Sequence, residues 1–201
     1  RDTADAAYYL ACNRGKKSVT LDIAKPEGRA LARALALKSD VLVENFKVGD
    51  LARHGLDYRS LSGEHRGLVY CSITGFGERE PGSRAGYDFV VQAESGLMSI
   101  TGQPDGEPSK VGVAVVDVLA GLNAAVAVLA ALQRRDRTGD GAHVEVSLID
   151  TALSGLVNVG QTVLVTGEEA ARYGNTHQSI APYEPLRAQH GSVAVAAAND
   201  A

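Results

Sequence analysis

The 201-residue chain has no tryptophan, one methionine and two cysteines. Cys12 and Cys71 stand far apart in no metal-ligand spacing, so neither a disulfide framework nor a zinc ribbon is expected, and two reduced thiols in a cytosolic protein is the reading. His54, His65, His143, His177 and His190 are scattered, again without metal-ligand spacing. No G-x-G-x-x-G follows a strand-like run, no P-loop lysine is present and no G-x-S-x-G occurs, which argues against a simple dinucleotide-binding domain, a P-loop NTPase and a serine-hydrolase elbow. Neither charge sign dominates: 20 Lys and Arg face 24 Asp and Glu, a net charge of −4 with the signs mixed along the chain. A nucleic-acid surface is therefore not the main expectation. No secretory signal opens the sequence. The chain starts at Arg1 without a Met and stops inside the strand-like "VAVAAANDA", so it is expected to be part of a larger, cytoplasmic protein.

What is present is apolar: 45% of residues are hydrophobic, enough for a core and too many for a disordered chain. "KSVTLDI" (17–23) has strand composition, and Pro26 suits the first turn of the helix that "EGRALARALALKS" predicts over 27–39. "DVLVENF" (40–46) reads as a buried strand, "GDLARHGLDYRSLSGEHRG" as two short helices broken at Gly55, and "LVYCSITGFG" (68–77) as a strand ending in glycine turns. This alternation implies a parallel α/β sheet. A polar loop (78–86), a helix in "YDFVVQAESG" broken at Gly96, and a turn-rich connector (103–110) follow. A long helix then runs from about Asp117 to Arg135. "GDGAHVEVSLID" reads as a glycine turn, a strand and a further helix that continues through "TALSGLVNVGQTVLVTG". "RYGNTHQSIAPYEPL" reads as irregular and "GSVAVAAAN" as a final strand. A large domain over 1–170 and the start of a smaller one over 171–201 are expected.

Three features bear on chemistry. The first is Asp117. Of the fifteen residues after it, Val118 to Leu132, fourteen are apolar or Gly, Asn123 being the exception. The run 111–132 is long enough to span a bilayer, but its Ala and Gly content and its acid favour a buried helix: a central Asp costs roughly 2.5–3.5 kcal/mol on insertion scales. The stripe Val115, Leu119, Leu122, Val126 and Leu129 fits one helix face, and burial on most sides is expected. Asp117 falls where the helix dipole favours a carboxylate. It reads either as a first-turn acid or as a partly desolvated nucleophile, and local sequence does not choose. The second feature is "NRGKKSVTLD" (13–22), whose Arg14, Lys16 and Lys17 flank Gly15 in a pattern that suits either a phosphate or a solvated loop. The third is "VENFKVGDLARHGLD" (43–57), where Asn45 and Phe46 fall at a strand's carboxyl end, the edge at which open α/β sheets bind ligands, with Arg53 on the next short helix.

Taken in order, "NRGKKSVTLDIAKPEGR", "DVLVENFKVGDLARHGLD", "LVYCSITGFGEREPGSRAGYD", "VVQAESGLMSITG", "VGVAVVDVLAGLNAAVAVLAAL", "RTGDGAHVEVSLID" and "YGNTHQSIAPYEPL" resemble the class III CoA-transferases, the CaiB/BaiF family, over nearly the whole chain. Family members are about twice this length, so a first CoA-binding segment and much of the small domain are expected to lie outside it. The resemblance implies a Rossmann-like large domain joined to a smaller α+β domain, in interlocked homodimers. It implies coenzyme A transfer from an acyl-CoA to a free carboxylic acid, with Asp117 as the nucleophile that becomes an aspartyl-CoA thioester. It requires no metal or permanently bound cofactor.

The same resemblance assigns CoA contacts to Leu21, Asp22, Ile23 and Ala24, to Asn45, Phe46 and Arg53, and to the loop Gly86, Tyr87 and Asp88, with Arg14 and Lys16 as phosphate partners. The related α-methylacyl-CoA racemases carry "GHD" where this chain has Gly86-Tyr87-Asp88. Tyrosine, with an ordinary pKa near 10, is a poor base at neutral pH, so transfer is expected over racemisation. Formyl-CoA transferases that use oxalate carry a glycine-rich loop where this chain has "THQSI" (176–180). The segment looks like that of the succinyl-CoA-dependent members acting on glutarate or related dicarboxylates, with His177 and Gln178 toward the acceptor. A CoA-binding module without catalysis is the third alternative.

Overall fold

The computed structural model describes residues 5–78, 84–197 and 199. Its helices are α1 (Ala7–Cys12), α2 (Pro26–Ala36), α3 (Tyr58–Ser62), α4 (Asp88–Glu94), α5 (Val115–Thr138), α6 (Leu148–Gly155) and α7 (Val157–Thr166). Strands β1 (Val41–Glu44), β2 (Val69–Thr74) and β3 (Ala142–Ser147) form a parallel sheet in the order β1-β2-β3. β4 (Tyr183–Ala188) and β5 (Gly191–Ala196) make a separate antiparallel hairpin. The architecture is thus mixed α/β, as the alternation of strand-like and helical runs implies.

Local chemistry sets the element ends. Pro26 occupies the first turn of α2, where its missing N–H costs nothing. A 3₁₀ turn, Ala52–His54, stops at Gly55, whose φ of 64° is open to glycine and strained for most other residues. α5 ends at Gly139 in the same left-handed conformation. Ser147 caps α6 by accepting the Asp150 N–H.

The two faces of the parallel sheet differ in kind. Alternation along β2 and β3 turns Cys71, Ile73, Val144 and Val146 to one face, where they pack with Val91 of α4, Val116, Ala120 and Ala124 of α5, and Leu148 and Ala152 of α6. The other face carries Tyr70, Ser72 and Thr74 beside His143 and Glu145. Its lower half packs under Ala36 of α2 and Tyr58 and Leu61 of α3. Its upper half is polar: Ser72 Oγ lies 2.9 Å from His143 Nε2, and the His143 ring stacks on Tyr58 at 5.1 Å between centroids.

Four expectations are corrected. The run 17–23 has no regular structure and ends in a turn at Ile23; among the described residues it pairs with no strand, and β1 is the sheet edge on that side. A strand exists only through its ladder, and composition does not show the partner. Helix 148–166 is two helices, bent by 81° at a break where Val157 takes φ 44°, a strained value for a β-branched residue. The segment read as irregular contains β4, whose Pro185 weakened the strand signal; it lies in a two-stranded hairpin, where no central ladder is broken. Finally, α5 is not buried on most sides. It meets the sheet through its small residues Ala120 and Ala124 together with Val116. Val118, Leu122, Val126 and Leu129 are each more than half exposed. Alanines allow close helix-on-sheet approach, so the larger side chains are left on the outer face.

Candidate functional site

Parallel strands send their carboxyl ends to one side, and there the chain builds a cleft of ≈ 240 Å³ between the β1 and β2 ends and the loop before α4. Asn45, Phe46, Thr74, Phe76, Gly86 and Tyr87 line it, with Arg84 at its wall. The Asn45 side chain donates to the Ile73 carbonyl at 2.6 Å, tying the two strand ends together. The Phe46 N–H donates to its neighbour Glu44 at 2.8 Å, and the Phe46 ring is about half exposed. Arg84 sits 4.1 Å above the Phe76 ring and pairs with Glu94.

The floor of the cleft depends on two glycines. A Cβ at Gly86 would come within 2.3 Å of the Gly75 Cα, and one at Gly75 within 2.5 Å of the Gly86 Cα. Only backbone against backbone fits. A second, shallower groove continues from Phe46 to Ile23, past Leu42, Val43, Leu51 and Leu56. Ile23 and Phe46, far apart in sequence, therefore share one surface.

Asp117 stands in the first turn of α5, at the protein surface. The helix has no side-chain cap of its own; Ala114, at that position, offers none. Asp88, the residue after the cleft-lining Tyr87, supplies the acceptor from another helix. Its Oδ1 accepts the Val116 N–H at 2.8 Å and the Asp117 N–H at 3.3 Å. Its Oδ2 accepts from Gln92 Nε2 at 2.5 Å, and Gln92 Oε1 accepts the Val111 N–H at 2.9 Å. Partial desolvation, and then the Asp88 charge, raise the Asp117 carboxyl above its ordinary pKa. Burial, and then Glu44, push the Cys71 thiol up, so the thiol at the core is not primed for attack.

The expected site residues are distributed as follows. Asn45, Phe46, Gly86 and Tyr87 meet at the cleft, and Ile23 joins through the side groove. Asp88 and Asp117 meet at the α5 terminus. Asp22 organises a turn: its Oδ1 accepts the Ala24 N–H at 3.1 Å and its carbonyl accepts the Lys25 N–H. Gly28 lets α2 pass that turn, since a Cβ there would lie 2.1 Å from the Asp22 carbonyl oxygen. Leu21 precedes this turn and Ala24 lies in it, and neither lines the cleft or the groove. Arg14 and Lys16 are exposed away from both. Arg53 pairs with Asp50 at 2.5 Å on the surface. His177 Nδ1 accepts the Ser179 and Ile180 N–H groups at 3.1 Å each, and neither His177 nor Gln178 lines the cleft.

Three participants were not read from sequence. Gln92 is fully buried, and only its i+4 spacing from Asp88 hints at the pairing. Gly75 lies in "ITGFG", where glycine reads as a turn and not as a close approach. Arg172 donates to the carbonyls of Ser99, Gln103 and Gly106 at 2.9, 3.2 and 2.7 Å, fastening the segment after α7 to the loop after α4.

The class is thus a parallel α/β protein with a cleft at the strand ends and an acid at the start of a neighbouring long helix. The chain belongs to the CoA-transferase family III, whose profile matches residues 1–201. It is 46% identical over 200 residues to the succinate–glutarate CoA-transferase of Agrobacterium fabrum, covering 99% of this chain and 50% of that protein. Against the succinyl-CoA:glutarate CoA-transferase of Mus musculus it is 40% identical, over 98% of this chain and 45% of the relative. The crystal structure of a CaiB/BaiF family protein from Brucella suis superposes with a TM-score of 0.87 at 47% identity, over 93% of this chain and 50% of that one. The chain spans about half the length of the curated relatives it matches.

Two outcomes follow from this geometry. Gly86→Ala forces backbone apart at the cleft floor; it is expected to destabilise the protein by about 1–3 kcal/mol in denaturant titration, the range for overpacking a close contact. Asp117→Asn is expected to raise the melting temperature at neutral pH. The native carboxyl titrates above its unfolded value, so its ionised form opposes folding at pH values above the raised pKa. That penalty fades as the pH falls toward the unfolded value of about 3.9, so the advantage of the variant fades with it. Melting curves from pH 4 to 8 check the sign.

Proposed function

We propose that the chain carries the nucleophile-bearing part of a CoA-transferase that moves coenzyme A from an acyl-CoA, succinyl-CoA foremost, to a dicarboxylic acid. One observation carries the reading: Asp117 is an exposed, partly desolvated carboxylate at the start of α5, joined through Asp88 to the loop whose Tyr87 lines the strand-end cleft. An acid so placed is accessible to a substrate yet under-solvated, the combination a carboxylate nucleophile needs. The names of the relatives supply the substrate class, since they include succinate–glutarate and succinyl-CoA:mesaconate CoA-transferases.

The chemistry balances without redox or metal. A carboxylate oxygen of Asp117 adds to the thioester carbonyl; a C–O bond forms, the C–S bond breaks, and CoA leaves as thiolate. The mixed anhydride is then attacked at the Asp117 carboxyl carbon by that thiolate. A C–S bond forms, the anhydride C–O bond breaks, and the donor acid departs with one oxygen from Asp117. The acceptor carboxylate attacks the aspartyl thioester, displaces the thiolate and forms a second anhydride. Thiolate attack on the acceptor's acyl carbon releases the new acyl-CoA and restores Asp117. Binding energy from the remote nucleotide and pantetheine is available to hold the thioester against Asp117. Phe46, half exposed between cleft and groove, is the apolar surface for that arm, with Ile23 farther along the same track. Gly86 and Tyr87 flank the reacting end. His177 and Gln178 are the proposed acceptor contacts. Racemisation is not favoured, because Tyr87 stands where the racemases hold a proton-transferring His and the named relatives are transferases.

The outer face of α5 supports a homodimer. Val118, Leu122, Val126 and Leu129 form a contiguous exposed stripe, which a soluble protein covers with a partner surface. Interlocking of two subunits, which the family resemblance implies, is the proposed form of that cover.

Two experiments test these readings. Succinyl-CoA followed by hydroxylamine is expected to convert Asp117 to its hydroxamate, seen by peptide mass spectrometry. Asp117→Ala is expected to lower transferase turnover by roughly 10³-fold or more. An unmodified Asp117, with activity surviving the substitution, would overturn the assignment. Replacing Leu122 and Val126 together by Asp is expected to convert dimer to monomer or aggregate in sedimentation velocity. An unchanged dimer removes α5 from the interface.

A further inference from the structure

The strand-end cleft does not touch α5 directly, and α5 lacks a side-chain cap of its own. The group that joins them is a carboxylate on a different helix. Asp88 spends Oδ1 on the N–H groups of Val116 and Asp117 and Oδ2 on Gln92. Gln92, fully buried, passes the connection to the Val111 N–H. One residue pair spaced i, i+4 on α4 therefore fixes both the approach to α5 and its first turn. Every oxygen of Asp88 that could face an acyl-CoA from this side is already engaged with protein donors.

We propose that Asp88 is a positioning residue and not a CoA contact: it caps α5 from outside and fixes the first turn that presents the Asp117 carboxylate, so that the acid keeps its place through acylation. The inference rests on the reading of Asp117 as the nucleophile. Its physics is local. A helix N-terminus ordinarily stabilises a carboxylate through free N–H groups. Asp88 takes the N–H groups of residues 116 and 117 for itself, so they are not available to quiet Asp117. Partial desolvation raises the Asp117 carboxyl most, and the negative charge of Asp88 adds to it. When Asp117 becomes an anhydride or thioester, its charge is gone and the repulsion ends. The ground state is thereby raised relative to the acylated states, while the backbone of the first turn stays fixed.

Among the other ionisable groups on the elements packed against α5, Cys71 of β2 is a buried thiol that burial keeps neutral, and the rest are otherwise engaged. Asp150 of α6 is bonded to Ser147. On β3, His143 and Glu145 belong to the opposite sheet face, where Glu145 accepts the Glu78 N–H. On α4, Glu94 is paired with Arg84. Asp88 is the charged group that acts on Asp117.

The test compares wild type, Asp88→Asn and Asp88→Ala in the catalytically active protein that contains this chain. Asn keeps an acceptor oxygen for the helix, loses the charge and turns a donor toward the Gln92 amide; Ala loses every one of these contacts. For Asp88→Asn the expected result is a fall in kcat of between about 10- and 100-fold, with KM for succinyl-CoA changed by less than about threefold. The acid limb of its kcat–pH profile moves to lower pH, because the like charge no longer opposes ionisation of Asp117. Asp88→Ala is expected to lose kcat similarly and to melt earlier. The proposal is overturned if Asp88→Asn keeps kcat within about twofold, if its acid limb does not move, or if the loss lies in KM alone, which would make Asp88 a substrate contact. Should Asp88→Ala fail to fold, the Asn variant decides. Hydroxylamine trapping on wild type separates the two levels. If Asp117 gives no adduct, the nucleophile reading falls and takes this inference with it. An adduct in wild type together with unaltered Asp88→Asn kinetics removes the role of Asp88 alone.

Discussion

The close seat of α5 on the apolar face of the parallel sheet is the constraint on which the other relationships depend. Ala120 and Ala124 present almost nothing beyond a Cβ, so the helix axis lies near β2 and β3. That closeness brings the first turn of α5 against α4, where Asp88 reaches its N–H groups. With larger residues at 120 and 124 the helix would stand off, and the cap from α4 would not reach. The same seat leaves the bulky residues of α5 facing outward, which is why a helix of such apolarity has an exposed flank in a single chain.

A second closeness works in the same direction. Gly75 and Gly86 meet backbone to backbone, so the loop before α4 lies down on the end of β2. The loop thereby delivers Tyr87 to the cleft and Asp88 to the helix in consecutive positions. Two neighbouring residues face two different environments because an extended peptide turns successive side chains to opposite sides. The cleft and the Asp117 turn of α5 are coupled through main chain and not through a shared wall.

Much of this was legible in the sequence. The parallel α/β character came from alternating strand-like and helical runs, and the glycine stops at 55, 96 and 139 are where the chain turns. Asp117 stood out as an acid inside an apolar run. What was not legible is relational. Composition marks 17–23 as strand-like but does not name its partner. Periodicity found an apolar stripe on α5 but did not show that the alanine face, and not the larger one, meets the sheet. The bend at Leu156–Val157 falls inside a run with no proline, and the glycine at 155 precedes the break without taking a positive φ. The service of Asp88 to another helix is a tertiary fact that a triplet motif cannot express. Asp22 and Arg53 look like ligand-facing groups by type and position. In the fold Asp22 holds a turn and Arg53 a surface ion pair.

The clamp made by Arg172 has a consequence for how this protein can vary. Its guanidinium spends donors on three carbonyl oxygens of the 99–106 segment and consults no side chain there. Carbonyls are common to every residue type, so the fastening is indifferent to which amino acids occupy those positions as long as the loop keeps its path. Apart from Gly102, whose φ of 120° suits glycine alone, the clamp makes no demand on which side chains the segment carries.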